Sequence, residues 1–492
     1  MGREDQIITE RKRKISELKE QKINPYPHSF DRKNTCLECL NSKEGLKVQT
    51  AGRIMTKRDL GKIAFANLTD ESGTIQVALQ EGKTTEEVKN FFKKYVDTGD
   101  FVGVKGEVIL TKTGQISILA EDLVVLSKAV LPLPEKYHGL KDKEERYRKR
   151  YIDLMMNPEV KEVFKKRSQI IKAIREFLNE RGFIEVETPL LQTQYGGANA
   201  RPFVTKINAW DMSMYLSISP ELYLKRLIVG GFEKVFTICK NFRNEGVDFS
   251  HNPEFTMIEI YQAYADYNDM MKLIEECWEY CAKKVLGTTK VKRVIEGKEY
   301  EIDFKAPWPR MTTLRAIKEY AGIDAEKMNA KELREFCEKK KLKEYPKEGC
   351  WGEYLDFLYE EFVEKNLIQP THVIDRPKEG TPLCKRHRSD DRLNEQCEPV
   401  GLGMELGNIY TELNDPEFQE QLLKEQEEKG RGGDEEAHPM DDDFINALRI
   451  GMPPTGGIGW GIDRMIILFT GVESIRDIIL FPTMKPEKKK EE

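Results

Sequence analysis

The sequence predicts a multidomain chain: a small all-β barrel near the N-terminus, then a larger unit that mixes strands with helices. Three observations predict it. At 492 residues, the chain exceeds what one hydrophobic core usually serves. Residues 47–127 alternate short β-rich runs with Gly and Asp turns. Further on, helical and extended periodicities interleave, and a helix-rich segment from about 310 to 370 interrupts two β-rich blocks.

The elements follow in order. Residues 1–46 are a lead-in that starts with a charged helix carrying a sparse apolar stripe of Ile7, Ile8, Ile15, Leu18 and Ile23. "INPYP" ends it, because proline disfavours helix at its own position and at the one before. The runs "KVQTAGRIMTKRDLGKIAFANLTDESGTIQVAL" and "DFVGVKGEVILTKTGQISILAEDLVVLS" supply about five strands. They suit a Greek-key barrel of the OB type over 47–130. Such barrels hold single-stranded nucleic acid by stacking bases on aromatics. Arg58, Phe65 and Gln76 are the types required, with a core Phe and a surface Gln as the plain alternative.

"LPLPEKYHGL" and the charged "KDKEERYRKRYIDLMMNPEV" form a linker and hinge over 131–160, and the larger domain is expected over 161–485. That domain opens with a strong helix in which Ile170, Ile171, Ile174 and Leu178 recur at helical spacing. Gly182 stops the helix, and "FIEVETP" reads as a strand. "LRAIKEYAG", "AKELREFCEKKKL" and "GEYLDFLYEEFVEKNL" make the inserted helical unit. "EEKGRGGDEEAHPMDDD" is expected to be a mobile loop. "GGIGWGIDRMIILFTG" reads as strand, glycine turn, helix.

Composition excludes several classes. The net charge of −6 gives no global attraction to nucleic acid, so a polyanion needs local basic patches. "ERKRK" (Glu10 to Lys14) and "RYRKR" (Arg146 to Arg150) are candidates, and solvated helix faces are the alternative. No run of apolar residues is long enough to span a membrane. "MGREDQIITERKRK" lacks the apolar segment of a secretory signal. The 9 cysteines are scattered and odd in number, which fits free thiols in a cytoplasmic protein. Cys36 and Cys39 form one CxxC, a weak zinc signal without a second pair.

The densest chemistry lies in "FRNEGVDFSHNPEFTMIEIY", residues 242–261. Two apolar runs flank a polar connection, so a hairpin of two long strands is expected. Arg243 and Glu245, two apart, would share one strand face, as would Glu259 and Tyr261. An arginine fork suits a phosphate oxygen, Phe255 can stack on a purine, and His251 can meet a second phosphate. A surface ion-pair network is the competing reading. "GGIGWGIDR" offers close backbone approach and a helix N-terminus, but neither a dinucleotide fingerprint nor a phosphate loop. "CEPVGLGMELGNIYTELNDP" carries Glu398, Glu405, Asn408 and Glu412. Glu398 and Glu405 are an odd interval apart, so a bulge at the glycines is needed to bring them together. Together they could hold Mg²⁺, which keeps several waters and few protein ligands.

These stretches resemble the class II lysyl-tRNA synthetases. "GFIEVETPLL" resembles the first motif of the class, "FRNEG…HNPEFTMIEIY" the second and "GGIGWGIDR" the third. "INPYP", "HGLKDKEERYRKRYIDL", "PELYLKRLIVGGFEKVF" and "GNIYTELNDP" resemble lysyl-enzyme signatures, and "THVIDRPKEGTPLCKRH" has an archaeal flavour. The resemblance covers nearly the whole chain. It implies a catalytic domain built on an antiparallel sheet with helices, and a homodimer joined through the first-motif helix and Pro189. It implies ATP-dependent ligation of L-lysine to tRNA(Lys) through lysyl-adenylate, with Mg²⁺ on Glu398 and Glu405. Arg243 and Arg464 are the implied catalytic pair. Glu245, His251, Asn252, Phe255 and Glu405 join them around ATP. Glu259, Tyr261 and Glu412 are implied for the lysine ammonium, and Gly197, Glu221 and Asn408 for its other end. Arg58, Phe65 and Gln76 are implied for the anticodon. Trp460 departs from the third motif, where a smaller aliphatic residue is common.

The physical reading agrees. Amino-acid adenylation places charge on a five-coordinate phosphorus and needs positioning and counter-charge rather than a catalytic base. Three alternatives stand beside it. A protein-modifying paralogue would lack the barrel. A non-catalytic scaffold would have lost Arg243, Glu245 or Arg464. An aspartyl or asparaginyl enzyme would not want acidic Glu259 and Glu412 in its pocket.

Overall fold

The computed structural model describes residues 2–134, 142–249, 251–295, 297–432 and 438–487. Two compact units emerge, Met1–Gly139 and Leu140–Glu492. Together they give the multidomain architecture that the patterning predicts.

The first unit begins with α1 (Arg3–Glu20) and the short α2 (Cys36–Leu40). Five strands follow: β1 (Lys47–Asp59), β2 (Ile63–Thr69), β3 (Thr74–Gln80), β4 (Phe101–Leu110) and β5 (Ile116–Ser127), with α3 (Glu86–Tyr95) between β3 and β4. They close in the order β1-β2-β3-β5-β4. Closure leaves no free edge, and alternation then decides what faces in. Ala64, Ala66 and Leu68 enter the core, while Phe65 points the other way. Cys36 and Cys39 belong to that core, and burial pushes the Cys36 thiol up to about 12. Two of the "ERKRK" cations are spent internally, while Lys12 and Arg13 stay exposed. Arg11 is buried and donates to the carbonyls of Ala129, Leu131 and Thr98, and Lys14 pairs with Asp97 at 2.7 Å.

The second unit starts with α4 (Lys143–Arg148), α5 (Arg150–Met156) and α6 (Pro158–Glu180). "RYRKR" is no free patch either: Arg146 and Arg150 both bind the buried Asp153, at 2.7 and 2.6 Å. Then come β6 (Ile184–Glu185), β7 (Leu191–Gln192), β8 (Val204–Ile207), β9 (Met212–Leu216), α7 (Glu221–Val229), β10 (Lys234–Phe242), β11 (Glu254–Ala263) and α8 (Tyr267–Leu286). The strand expected over "FIEVETP" shrinks to β6, because Thr188 and Pro189 leave the sheet. A hairpin, β12 (Lys290–Ile295) and β13 (Lys298–Asp303), precedes β14 (Arg310–Thr312). The inserted helices are α9 (Thr313–Ala321), α10 (Ala330–Lys340) and α11 (Trp351–Phe362). They have a core of their own around Leu333, Leu355 and Leu358.

The chain returns to the sheet through β15 (Thr371–Pro377), β16 (Leu393–Gly401), β17 (Met404–Glu405) and β18 (Asn408–Thr411). It continues with α12 (Pro416–Arg431), α13 (Asp442–Ile450), β19 (Thr455–Gly461), α14 (Ile462–Thr470) and α15 (Ile475–Ile478). The main sheet runs β14-β15-β16-β18-β19-β11-β10-β6, antiparallel except at its two outer pairs. One face packs on α6 and α8, where Ile174, Phe177, Ile274 and Trp278 meet Ile258 and Ile260 of β11. The other face is left for the site. The stretch 427–443, expected as a loop, is helical at both ends in α12 and α13, and residues 433–437 lie outside the described residues. Residues 135–141 of the expected linker also lie outside them. Among the described residues no helix is long and apolar enough to cross a membrane.

Candidate active site

The face of the sheet opposite α6 and α8 forms a cavity of about 510 Å³. Strand periodicity builds it. On β11, Ile258 and Ile260 enter the core, so Phe255, Glu259 and Tyr261 must face the cavity. Next to them runs β19, paired Glu259↔Gly459 and Tyr261↔Gly457. The expected glycine turn is thus a strand whose alternate side chains are missing. A Cβ on Gly457 would overlap Glu412 Oε1 and lie 2.7 Å from Tyr261 Cε1. Trp460 points the other way, fully buried in the core beside Ile258. Its size is accommodated on the side away from the site.

Glu398 and Glu405 meet through a hairpin rather than a bulge. β16 turns at Leu402 and Gly403, both left-handed with φ 54° and 65°, and returns as β17 with Val400 opposite Glu405. Glu398, two residues from Val400, therefore shares the face of Glu405. Both carboxylates line the cavity. Burial pushes Glu398 up to about 7, opposed by Arg376 and reinforced by Glu405. Arg376 Nη2 lies 3.6 Å from Glu398, and Arg464 Nη1 lies 3.0 Å from Glu405.

Arg243 and Glu245 do not lie on a strand. β10 ends at Phe242, and both residues sit in the β10–β11 connection. Arg243 is fixed by its backbone N–H on Pro253 O at 3.0 Å, and its guanidinium stands 5.1 Å over the Phe255 ring. Its Nε is buried without a hydrogen-bond partner, and burial lowers the pKa of the group. Glu245 is exposed at the cavity rim. His251 Nδ1 contacts Asp248 at 2.9 Å. Asn252 is buried, its Nδ2 donating to Glu254 O at 2.6 Å.

The far end of the cavity is acidic and buried. Glu259 accepts from Ser219 Oγ at 2.7 Å and from Tyr261 OH at 3.1 Å. Burial pushes it up to about 8, with repulsion from Glu221 next. Glu412 is 1% exposed, and neither of its oxygens has a hydrogen bond of good geometry, although Lys225 Nζ touches Oε2. Burial pushes Glu412 up to about 8 against the pull of Lys225. Gly197, Glu221 and Asn408 complete this end. Gly197 needs its left-handed φ of 87°, and a Cβ there would lie 2.7 Å from Ser219 Oγ.

All fourteen residues singled out in the larger unit line this one cavity, from Gly197 and Glu221 to Glu412 and Arg464. Sequence reasoning missed Ser219, Lys225, Asp356, Arg376 and His438, all in or against it. A polar residue inside the apolar helix "ELYLKRLIV" was the available signal for Lys225. On the barrel, Arg58 pairs with Phe65 across β1–β2, and Asn67, two residues from Phe65, pairs with Gln76. Arg58, Phe65 and Gln76 thus share the outer face, with Gln76 Oε1 accepting from Ser117 at 2.9 Å.

An antiparallel sheet with a glycine strand, an arginine-bearing hairpin loop and a separate barrel defines a class of protein. Residues 142–485 match the family model for tRNA synthetases class II (D, K and N), and residues 48–126 match that for OB-fold nucleic acid binding domains. Among curated relatives, the lysine–tRNA ligase of Methanoculleus marisnigri is 51% identical, over 96% of this chain and 94% of its own length. That of Clostridium novyi is 52% identical over 98% and 95%, and lysine–tRNA ligase 2 of Methanosarcina mazei is 48% identical over 96% and 93%. The chain belongs to the lysine–tRNA ligases of the class II synthetase family. Archaeal relatives are among its matches, and bacterial ones match as well.

Proposed function

We propose that the chain ligates L-lysine to tRNA(Lys) in two steps. In the first, a lysine carboxylate oxygen attacks the α-phosphorus of ATP. The new P–O bond forms as the bond to pyrophosphate breaks, leaving lysyl-adenylate. In the second, a hydroxyl of the tRNA terminal ribose attacks the acyl carbon and AMP leaves. The observation that carries the lysine reading is Glu412, buried at the cavity end with two oxygens lacking good hydrogen bonds. A neutral side chain would leave Glu412 sharing Lys225 with Glu221 and gaining no cation of its own, a shortfall of up to the several kcal/mol lost on breaking a buried pair.

The proposed roles are those the family resemblance implies, and the shared cavity supports them. The lysine ammonium meets Glu259, Tyr261 and Glu412. Its α-amino and carboxyl ends meet Gly197, Glu221 and Asn408. Arg243 offers an unpartnered buried N–H to the α-phosphate and the substrate carboxylate, where developing charge is best stabilised by a preorganised donor. Phe255 stacks on adenine, Glu245 takes the adenine amino group, and Asn252 helps shape the nucleotide site. His251 and Arg464 reach the outer phosphates. No residue need act as a base in the first step, since the carboxylate is already ionised; in the second, the proton of the ribose hydroxyl can pass to a phosphate oxygen of the departing AMP.

Glu398 and Glu405 fit Mg²⁺: a mutually repelling carboxylate pair that lines the cavity, partly open to solvent, suits a cation that keeps most of its waters. When bound, Mg²⁺ supplies positive charge to the phosphates. Arg58, Phe65 and Gln76 bind the anticodon. We also read the chain as a cytoplasmic homodimer. Apolar Ile184, Leu190 and Leu191, which follow α6 on either side of Pro189, are exposed and suit a subunit interface. The deciding experiment is ATP–pyrophosphate exchange with each amino acid in turn. Exchange with lysine alone is expected. Exchange with aspartate or asparagine overturns the roles of Glu259 and Glu412, and no exchange from folded protein with Mg²⁺ overturns the ligase reading.

A further inference from the structure

Lys225 is fully buried on α7 and does not line the cavity. Its Nζ donates to Glu221 Oε1 at 2.6 Å and contacts Glu412 Oε2. It therefore stands behind two carboxylates that face opposite ends of one amino-acid substrate. We propose that Lys225 is a positioning residue for lysine recognition, a buried ammonium shared between Glu221 and Glu412 that sets the pH at which the pocket takes a cationic amino acid. The inference rests on the reading of this cavity as the lysine site.

Charge counting motivates it. Glu221, Glu259 and Glu412 are three buried carboxylates around one buried ammonium. With all ionised, this end carries two uncompensated negative charges, which matches the two cationic nitrogens of free lysine. Without Lys225 a third would remain in a medium that penalises unpaired charge heavily. The pocket would then take up protons instead of substrate. Burial raises Glu221 and Glu412, and in both Lys225 is the largest opposing influence. Burial acts to lower Lys225 in turn, yet Glu221 and Glu412 hold it above its ordinary value.

Among the described residues, Arg243 acts on Glu259 from the other side of the cavity, and Lys225 is the cation in contact with both Glu221 and Glu412. Glu259 and Tyr261 face Glu412 from β11, Cys384 lies beside it, and Tyr410 of β18 stands near Glu221. From α13, the Phe444 ring lies 6.0 Å from Lys225 Nζ. His438 is buried close by and is lowered to about 4, first by burial and then by Lys225, so it is neutral.

The test is the lysine KM in ATP–pyrophosphate exchange from pH 6.5 to 8.8. In Lys225→Met the pH midpoint moves up by more than one unit, and the lysine KM at pH 7 rises about tenfold, since one unit of pKa is a factor of ten. The ATP KM and kcat change far less. In Lys225→Arg, which keeps the charge, the midpoint stays near that of the native chain. In Glu221→Gln, which removes the competitor for Lys225, the midpoint moves down, whatever the rise in KM. A merely structural Lys225 lowers the melting temperature and leaves every midpoint in place, which overturns the proposal. If Lys225→Met does not fold, a fixed midpoint in Glu221→Gln overturns it by itself. Loss of lysine-dependent exchange in the native chain defeats the underlying reading instead.

Discussion

The two ends of the cavity balance their charges differently. At the acidic end, proposed above as the lysine site, Glu259 receives Ser219 and Tyr261, and Glu412 and Glu221 share Lys225, so part of the charge is already offset. At the nucleotide end, Arg243 Nε is unpartnered, Glu398 and Glu405 repel, and Arg464 rests on Glu405. The lysine end is organised in advance for one small cation. The opposite end, on the proposed reading, is held in reserve for a larger polyanion whose phosphates and metal would bring the missing charge. Selectivity sits where the protein is already matched, and charge stabilisation where it is not.

Four substitutions or titrations sharpen that contrast. The largest effect is expected from Arg243→Ala. Pyrophosphate exchange should fall about a thousandfold or more, with a much smaller loss of lysine affinity by calorimetry, since Arg243 is proposed to meet the lysine carboxylate as well as the phosphate. Gly457→Ala should act on the opposite end. Its new methyl group overlaps Glu412, so the lysine KM should rise on the order of a hundredfold while ATP binding persists.

A third measurement is pH. Glu259 and Glu412 are both raised to about 8 by burial, so lysine must displace protons below that value. The lysine KM should fall roughly tenfold between pH 6.5 and 8.5. Stability runs in the opposite direction. The folded pKa lies above the unfolded value, so the folded state binds more protons between the two. The substrate-free melting temperature should therefore fall as pH rises from about 4.5 through 8. Saturating lysine should flatten the decline, and a decline unaffected by lysine would place its source elsewhere. The smallest effect on exchange belongs to Phe65→Ala on the barrel: none. tRNA charging efficiency should drop about tenfold, in line with one lost base stack.

The sequence reveals the cavity more fully than its wiring. Alternation in "EFTMIEIY" assigns Ile258 and Ile260 to the core and Glu259 and Tyr261 to the site, because a strand has only two faces. The same rule misplaces Arg243 and Glu245, since β10 ends at Phe242 and both residues lie in the connection, where alternation no longer holds. It also leaves Glu398 and Glu405 apart, because no local signal marks a left-handed Leu402 as the turn that reunites them. The glycines of "GGIGWG" read as a turn because their usual role is conformational. Here none of those in β19 has a positive φ, and they serve instead to leave space. Lys225 shows only as a polar residue in an apolar helix, four positions from Glu221; its second partner, Glu412, arrives from just beyond β18, and pairing across such distance has no periodicity to betray it.

The glycine strand also limits how this pocket could be redesigned. Gly457 and Gly459 already have the smallest side chain available, so that wall cannot retreat to admit a longer or bulkier amino acid. Enlargement at that wall has to come from the facing side chains, and Tyr261 and Glu412, which stand against it, are tied to hydrogen bonding and charge. An engineer seeking a new substrate would have to rebuild the electrostatics and the shape together.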